Sequence, residues 1–172
     1  MADLDPVRQF ARLMEGDDEE INLAEAALVI ARTEYPELEM AAELVHLDGI
    51  AAEVRADPSR PPFTKIQALN EQLFEKERFS GNEEDYDDPR NSYLNDVLAR
   101  KKGIPITLSV VYIEVARRLD LPVVGVGFPG HFLVKYLAAS REIIIDPYHR
   151  GAILTLEDCE ERLKAQIGRA HV

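Results

Sequence analysis

One cysteine, Cys159, is present in 172 residues, which excludes an internal disulfide and any zinc site built on thiolates. Positive charge is also scarce. The 20 Lys and Arg stand against 32 Asp and Glu, giving a net charge of -12 and a pI near 4.8. That balance argues against a nucleic-acid backbone or an anionic membrane as partner. No apolar run is long enough to span a bilayer. Met1 opens a polar segment with no apolar signal core, so the expected compartment is the cytoplasm. Internal repeats and low-complexity tracts are missing as well.

What is present is a globular composition, 46% hydrophobic and 30% charged. The length suits one domain, with or without a small appendage, and can bury a real core. Acidic residues gather at Asp17-Asp18-Glu19-Glu20 and from Glu83 to Asp88. Both clusters stand beside helix starts, where carboxylates favour the helix dipole.

The N-terminal half reads as helices. Asp5-Pro6 opens the first, with Val7, Phe10, Ala11, Leu13 and Met14 as an apolar stripe up to Gly16. Asn22, with Glu25 three residues on, caps the second in a capping-box pattern. A third passes through Met40, Leu44, Leu47, Ile50 and Val54. A fourth follows the Pro58–Pro62 connector with Ile66, Leu69, Leu73 and Phe74 on one face. Asp88-Pro89 starts a fifth, ending at Gly103, on which Asn91 and Asn95 share a stripe. Pro105 opens a sixth, apolar nearly all round until Glu114, and that pattern belongs to a helix surrounded by protein. Strands follow near Val123–Phe128, His131–Tyr136 and Glu142–Asp146, with another at Ala152–Leu154, then an amphipathic helix from Glu157 through Leu163 and Ile167. The expected class is α+β, with a small antiparallel meander.

A helix N-terminus, a histidine and an aspartate in that order form the frame of a Cys-His-Asp triad. If the turn spans Leu137 to Ser140, Tyr136 pairs with Arg141 and His131 stands directly opposite Asp146, on the same sheet face. A slip of one residue would separate them. Gly130 leaves room for close backbone approach beside the ring. Taken singly, His131 could satisfy a strand-start hydrogen bond, and Asp146 could form a turn with Pro147. The helix start carries Pro105, where a thiol would be expected. Ser109, one turn in with Tyr112 along its stripe, is the alternative nucleophile, and Thr107 is a weaker one. Ser109 could equally bond back to the Pro105 carbonyl. Cys159 lies among glutamates that raise a thiol pKa. His131, Asp146 and His149 are suitable ligand types without diagnostic metal spacing.

Several motifs occur in order: Asn22-Leu-Ala-Glu-Ala-Ala-Leu, Asp88-Pro-Arg-Asn-Ser-Tyr-Leu-Asn, Gly103-Ile-Pro-Ile-Thr-Leu-Ser, Phe128-Pro-Gly-His-Phe-Leu and Ile145-Asp-Pro-Tyr-His. From about Asn22 to Cys159 the chain resembles the SirB-type family, described as regulators of sirC expression with transglutaminase-like and tetratricopeptide-repeat regions. The resemblance implies a transglutaminase-like core of the papain-like group. Its transglutaminase relatives place cysteine near Pro105, with histidine and aspartate at His131 and Asp146. The repeats of longer members are expected to be absent here, since the chain ends at Val172.

The expectation is therefore a helical region over 1–87 packed as one unit on a core over 88–172. Within it, His131, Asp146 and Ser109 are the candidate catalytic residues, with Asn91, Asn95, Pro105, Tyr112 and Gly130 lining a cleft. The expected function is a non-catalytic or repurposed transglutaminase-like domain, a cytoplasmic regulatory or interaction module with a protein or peptide partner. Cysteine-type activity, a cofactor and a metal are not expected. The alternative is a hydrolase or acyltransferase on amide or ester bonds, using Ser109 or an activated water with His131 and Asp146.

Overall fold

A computed structural model describes residues 5–16, 21–54, 59–137 and 142–169. Helices α1 (Pro6–Leu13), α2 (Leu23–Ala31), α3 (Met40–Ala52) and α4 (Pro62–Asn70) come first. The last turn of α4 widens into a π-helical segment, Glu71–Lys76. A two-residue strand β1 (Ser80–Gly81) and a 3₁₀ turn (Pro89–Asn91) lead to α5 (Leu94–Arg100) and β2 (Lys102–Gly103). Then come α6 (Pro105–Arg118), β3 (Val123–Phe128), β4 (His131–Leu137), β5 (Glu142–Asp146), β6 (Ala152–Leu154) and α7 (Leu156–Arg169). The sheet is an antiparallel meander in the order β3-β4-β5-β6, and the class is α+β. The short parallel pair β1–β2 had no signal in the sequence pattern.

α6 is central because its apolar residues leave no face suited to water. Leu108, Val111, Tyr112, Val115 and Ala116 are buried, and α2, α3, α5, β3 and β4 pack around it. Burying side chains of this size contributes roughly 1.5–3 kcal/mol each. The core runs without a break from Leu28 and Leu47 of the helical region to Val134 and Ile145 of the sheet. Glu114 is buried in α6, where it accepts from the Leu23 amide and pairs with Arg118. A carboxylate thus satisfies an amide at the start of α2, which Asn22 caps through the Glu25 amide.

The helices at the two ends are largely exposed where described, and one expectation needs correction. No residue of α1 is buried, and Val7 is 69% exposed. Leu163 of α7 is likewise exposed, and nothing is described of the Ile167 side chain. The helix expected from Pro89 to Arg100 is broken at Ser92-Tyr93. There the Asn91 carbonyl accepts from the Thr107 hydroxyl at 2.8 Å. The Asn91 amide group donates to the carbonyls of Asp85 and Tyr86. A carbonyl held by a neighbouring helix no longer serves an i+4 amide, and the chain re-initiates at Leu94. Asn91 and Asn95 therefore do not share one helix. The fourth helix and most strand bounds agree with the pattern. Pro58, at the start of the expected connector, lies outside the described residues.

Candidate functional site

The turn between β4 and β5, residues 138–141, lies outside the described residues, but its outcome is visible in the register. Val134 pairs with Ile145 and Tyr136 with Ile143. The expected pairing was two residues different, with Tyr136 opposite Arg141. A two-residue shift preserves the face on which each side chain points. His131 and Asp146 remain on one face and meet diagonally, His131 Nε2 lying 2.9 Å from Asp146 Oδ1.

Asp146 is fully buried and is the hub of the site. Besides His131, Oδ1 accepts from the His149 backbone amide at 3.3 Å. Oδ2 accepts from His149 Nδ1 at 2.7 Å and from Arg162 Nη1 of α7 at 2.6 Å. Those four donors use the full acceptor capacity of a carboxylate. Burial pushes the Asp146 pKa up, but the bonds from His131, Arg162 and His149 outweigh it and hold the group well below the ordinary range. An ionised carboxylate only accepts, so the proton sits on Nε2 of His131 and Nδ1 of His149. The remaining nitrogens, His131 Nδ1 and His149 Nε2, have no hydrogen bond among the described residues.

The chain brings these groups together through a tight turn after β5. Arg150 and Gly151 both have positive φ, 54° and 73°. The Gly151 amide bonds the Asp146 carbonyl at 2.9 Å, and its own carbonyl accepts from Asn70 at 2.8 Å. Tyr148 in that turn meets the His131 and His149 rings edge-on, at 5.8 and 5.1 Å. It is seated over Gly81, where a Cβ would lie 2.5 Å from its ring. The strand β1 thus fixes the tyrosine that flanks both imidazoles.

Other candidates lie elsewhere. Ser109 is fully buried, and its hydroxyl bonds neither His131 nor the Pro105 carbonyl. Thr107 spends its hydroxyl on the Asn91 carbonyl and accepts the Ile104 amide at the start of α6. Tyr112 is fully buried and donates to Asn70 at 2.8 Å, and burial raises its phenol pKa. Pro105 is buried as the first residue of α6. Asn91 ties down the 82–86 segment, and Asn95 Oδ1 is buried without a partner among the described residues. Of the expected cleft residues, Gly130 lines the recess beside His131. Its other walls are Phe128, Pro129, His131, His149, Arg162 and Ala165, around about 370 Å³. Tyr112 and Asn91, with no exposed surface, do not line an open cleft. The thiol of Cys159 is half-buried, and burial, more than its acidic neighbours, raises its pKa.

A larger cavity of about 580 Å³, between β5, β6 and the start of α7, is lined by Phe63, Ile144, Ile153 and Leu156 with Glu142 and Glu157. It holds no imidazole, so the chemistry points to the smaller recess. His131, Asp146 and His149 have metal-ligand donor types lying within 4.8 Å of one another. Their hydrogen bonds, however, make a closed carboxylate hub. A divalent ion there would have to displace bonds to Asp146 and face the Arg162 guanidinium. Sequence reasoning missed Arg162 and Tyr148 as parts of the site. For Tyr148 a signal existed in Asp146-Pro-Tyr-His149; for Arg162 none did.

A helix-led core, a His–Asp pair on adjacent antiparallel strands and a match of residues 41–172 to the family model described as "Transglutaminase-like superfamily" agree. The chain belongs to the transglutaminase-like superfamily. The matched span starts inside α3, so part of the helical region falls within it. A UPF0162 protein of Xylella fastidiosa is 44% identical over 156 residues, covering 88% of this chain and 55% of that protein. A UPF0162 protein of Pseudomonas aeruginosa is 38% identical over 146 residues, covering 82% of this chain and 52% of that protein. The human F-box only protein 21 is 36% identical over 103 residues, 55% of this chain and 16% of that protein. The chain spans about half the length of the UPF0162 relatives it matches. No solved structure matches it. No helix among the described residues is long and apolar enough to cross a membrane.

Proposed function

We propose that this transglutaminase-like domain is repurposed: a cytoplasmic regulatory or protein-interaction module of SirB type that retains the His131–Asp146 pair without cysteine chemistry. One observation carries the reading. The first turn of α6, where the positive end of the dipole would activate a thiol, begins with Pro105, and the chain's one cysteine stands on α7. The ordered motifs of the SirB-type resemblance support the regulatory part, and the -12 charge supports a protein or peptide partner over a nucleic acid. The test is an amine-incorporation assay together with thiol and fluorophosphonate labelling of the folded chain. The expected result is no amine incorporation, no fluorophosphonate adduct and thiol labelling at Cys159 alone. His131-dependent acyl transfer would overturn the reading.

A second reading, hydrolysis of an amide or ester, is favoured by the unoccupied Nδ1 of His131 beside an open recess. Because Ser109 is sealed, the nucleophile in that reading is a water: His131 Nδ1 takes its proton as the oxygen attacks the acyl carbon, then returns that proton to the leaving amine or alcohol oxygen as its bond to the acyl carbon breaks. Turnover of p-nitrophenyl acetate by wild type, abolished by His131→Ala and unaffected by Ser109→Ala, would establish it.

A further inference from the structure

We infer that the recess in front of His131 and His149 is a binding site for an anionic group, a carboxylate or a phosphate, carried on a small apolar body. The inference rests on reading the recess as a recognition site, and it names what is recognised. The polar wall is His131, His149 and Arg162; the apolar wall is Phe128, Pro129 and Ala165. Asp146, the carboxylate of the hub, is fully buried behind the imidazoles with its acceptor positions filled. It therefore acts on a ligand only through the groups it orients, the two rings and the Arg162 guanidinium.

Arg162 gives Nη1 to Asp146, while its Nε and Nη2 make no hydrogen bond among the described residues. A guanidinium held at one corner presents its other N–H groups in a fixed plane, the arrangement that suits an oxyanion. His149 is accessible, its side chain 47% exposed. The recess thus presents the free N–H edge of a guanidinium, paired on its inner side with Asp146, on a chain of net charge -12. Its 370 Å³ suits a group the size of an amino acid or a short acyl chain. The larger cavity offers a contrast, since Glu142 and Glu157 at its rim would repel the same ligand.

The test is a nuclear magnetic resonance titration of the full chain with sodium phosphate and, separately, sodium acetate. Ionic strength is held constant with chloride, and amides of Gly130, His131 and His149 are followed, with His46 as the distant reference. Saturable shifts confined to the recess are expected. Shifts with both anions support the shared chemistry. Shifts with phosphate alone assign the site to phosphate-bearing ligands, and with acetate alone to carboxylates. Arg162→Gln should weaken binding about tenfold or more, the loss of charge-assisted hydrogen bonds. Should that variant unfold, His149→Ala, at an exposed position, should weaken it in the same direction. Linear, non-saturating shifts in the folded wild type would overturn the inference, as would unchanged binding in both folded variants. The two proposals fail separately. Absent anion binding with no amine incorporation removes the anion site alone, whereas anion binding with His131-dependent acyl transfer removes the non-catalytic reading alone.

Discussion

His131 and Asp146 meet on a diagonal. With Val134 paired to Ile145, the place opposite Asp146 belongs to Leu133, and His131 spans two residues along β4 to bring Nε2 within 2.9 Å of Oδ1. The contact survives because the register differs from the direct pairing by an even number of residues. The diagonal also leaves room at Asp146 for His149 and Arg162.

Asp146→Asn should lower the unfolding free energy by about 3 kcal/mol in urea titrations near neutral pH. The substitution removes the charge that balances a partly buried Arg162 and one of the two oxygens that accept from the imidazoles. The pH dependence carries a sign. The folded pKa of Asp146 is depressed, so its contribution is complete above the unfolded value near ~3.9 and is lost as pH falls through the folded one. Wild type should therefore lose stability more steeply than the variant below pH ~4; parallel acid curves would refute the hub.

Two glycine substitutions should have opposite signs. At Gly151, φ is +73° and a Cβ would lie 2.5 Å from the Phe74 ring and 2.7 Å from Asn70. Gly151→Ala should cost about 1–3 kcal/mol and perturb His149. Gly49 is inside α3 with open space at its Cβ position, so Gly49→Ala should gain up to about 1 kcal/mol. Thermal unfolding of both variants decides, and equal shifts would contradict the geometry.

Ser109→Ala should be neutral or stabilising by up to about 1 kcal/mol, since the wild-type hydroxyl is buried with no hydrogen bond. Chemical denaturation measures it. A loss above about 1 kcal/mol would reveal a partner for Ser109 and reopen its role.

Asp88 should titrate near pH 2 in carbon-detected carboxyl spectra. The Arg90 side chain, with help from the Arg90 amide and from Arg100, lowers its pKa to about 2. Arg90→Ala should bring the midpoint back toward ~3.9. Any stabilisation from this cluster is present above that ordinary value and fades as pH drops toward 2. An unmoved midpoint in the variant would show that Arg90 is not the cause.

Much of the architecture was legible because it is written in local patterns. The apolar surround of Pro105–Arg118 required a central helix, Asn22 three residues before Glu25 announced a cap, and the tight spacing of strands from Val123 to Leu154 announced a meander. Period-two alternation set which face of its own strand His131 and Asp146 each occupy, and the register that puts the two on one face came from the folded sheet. Only the tertiary structure decided what that face contains. Arg162 arrives from α7, Tyr148 is seated by Gly81 from β1, and the Asn91 carbonyl is taken by Thr107 of α6, which breaks the helix there. Each of these is a hydrogen bond or close contact between separate elements. Local periodicity orients a side chain but does not choose its partner, which depends on how distant segments pack.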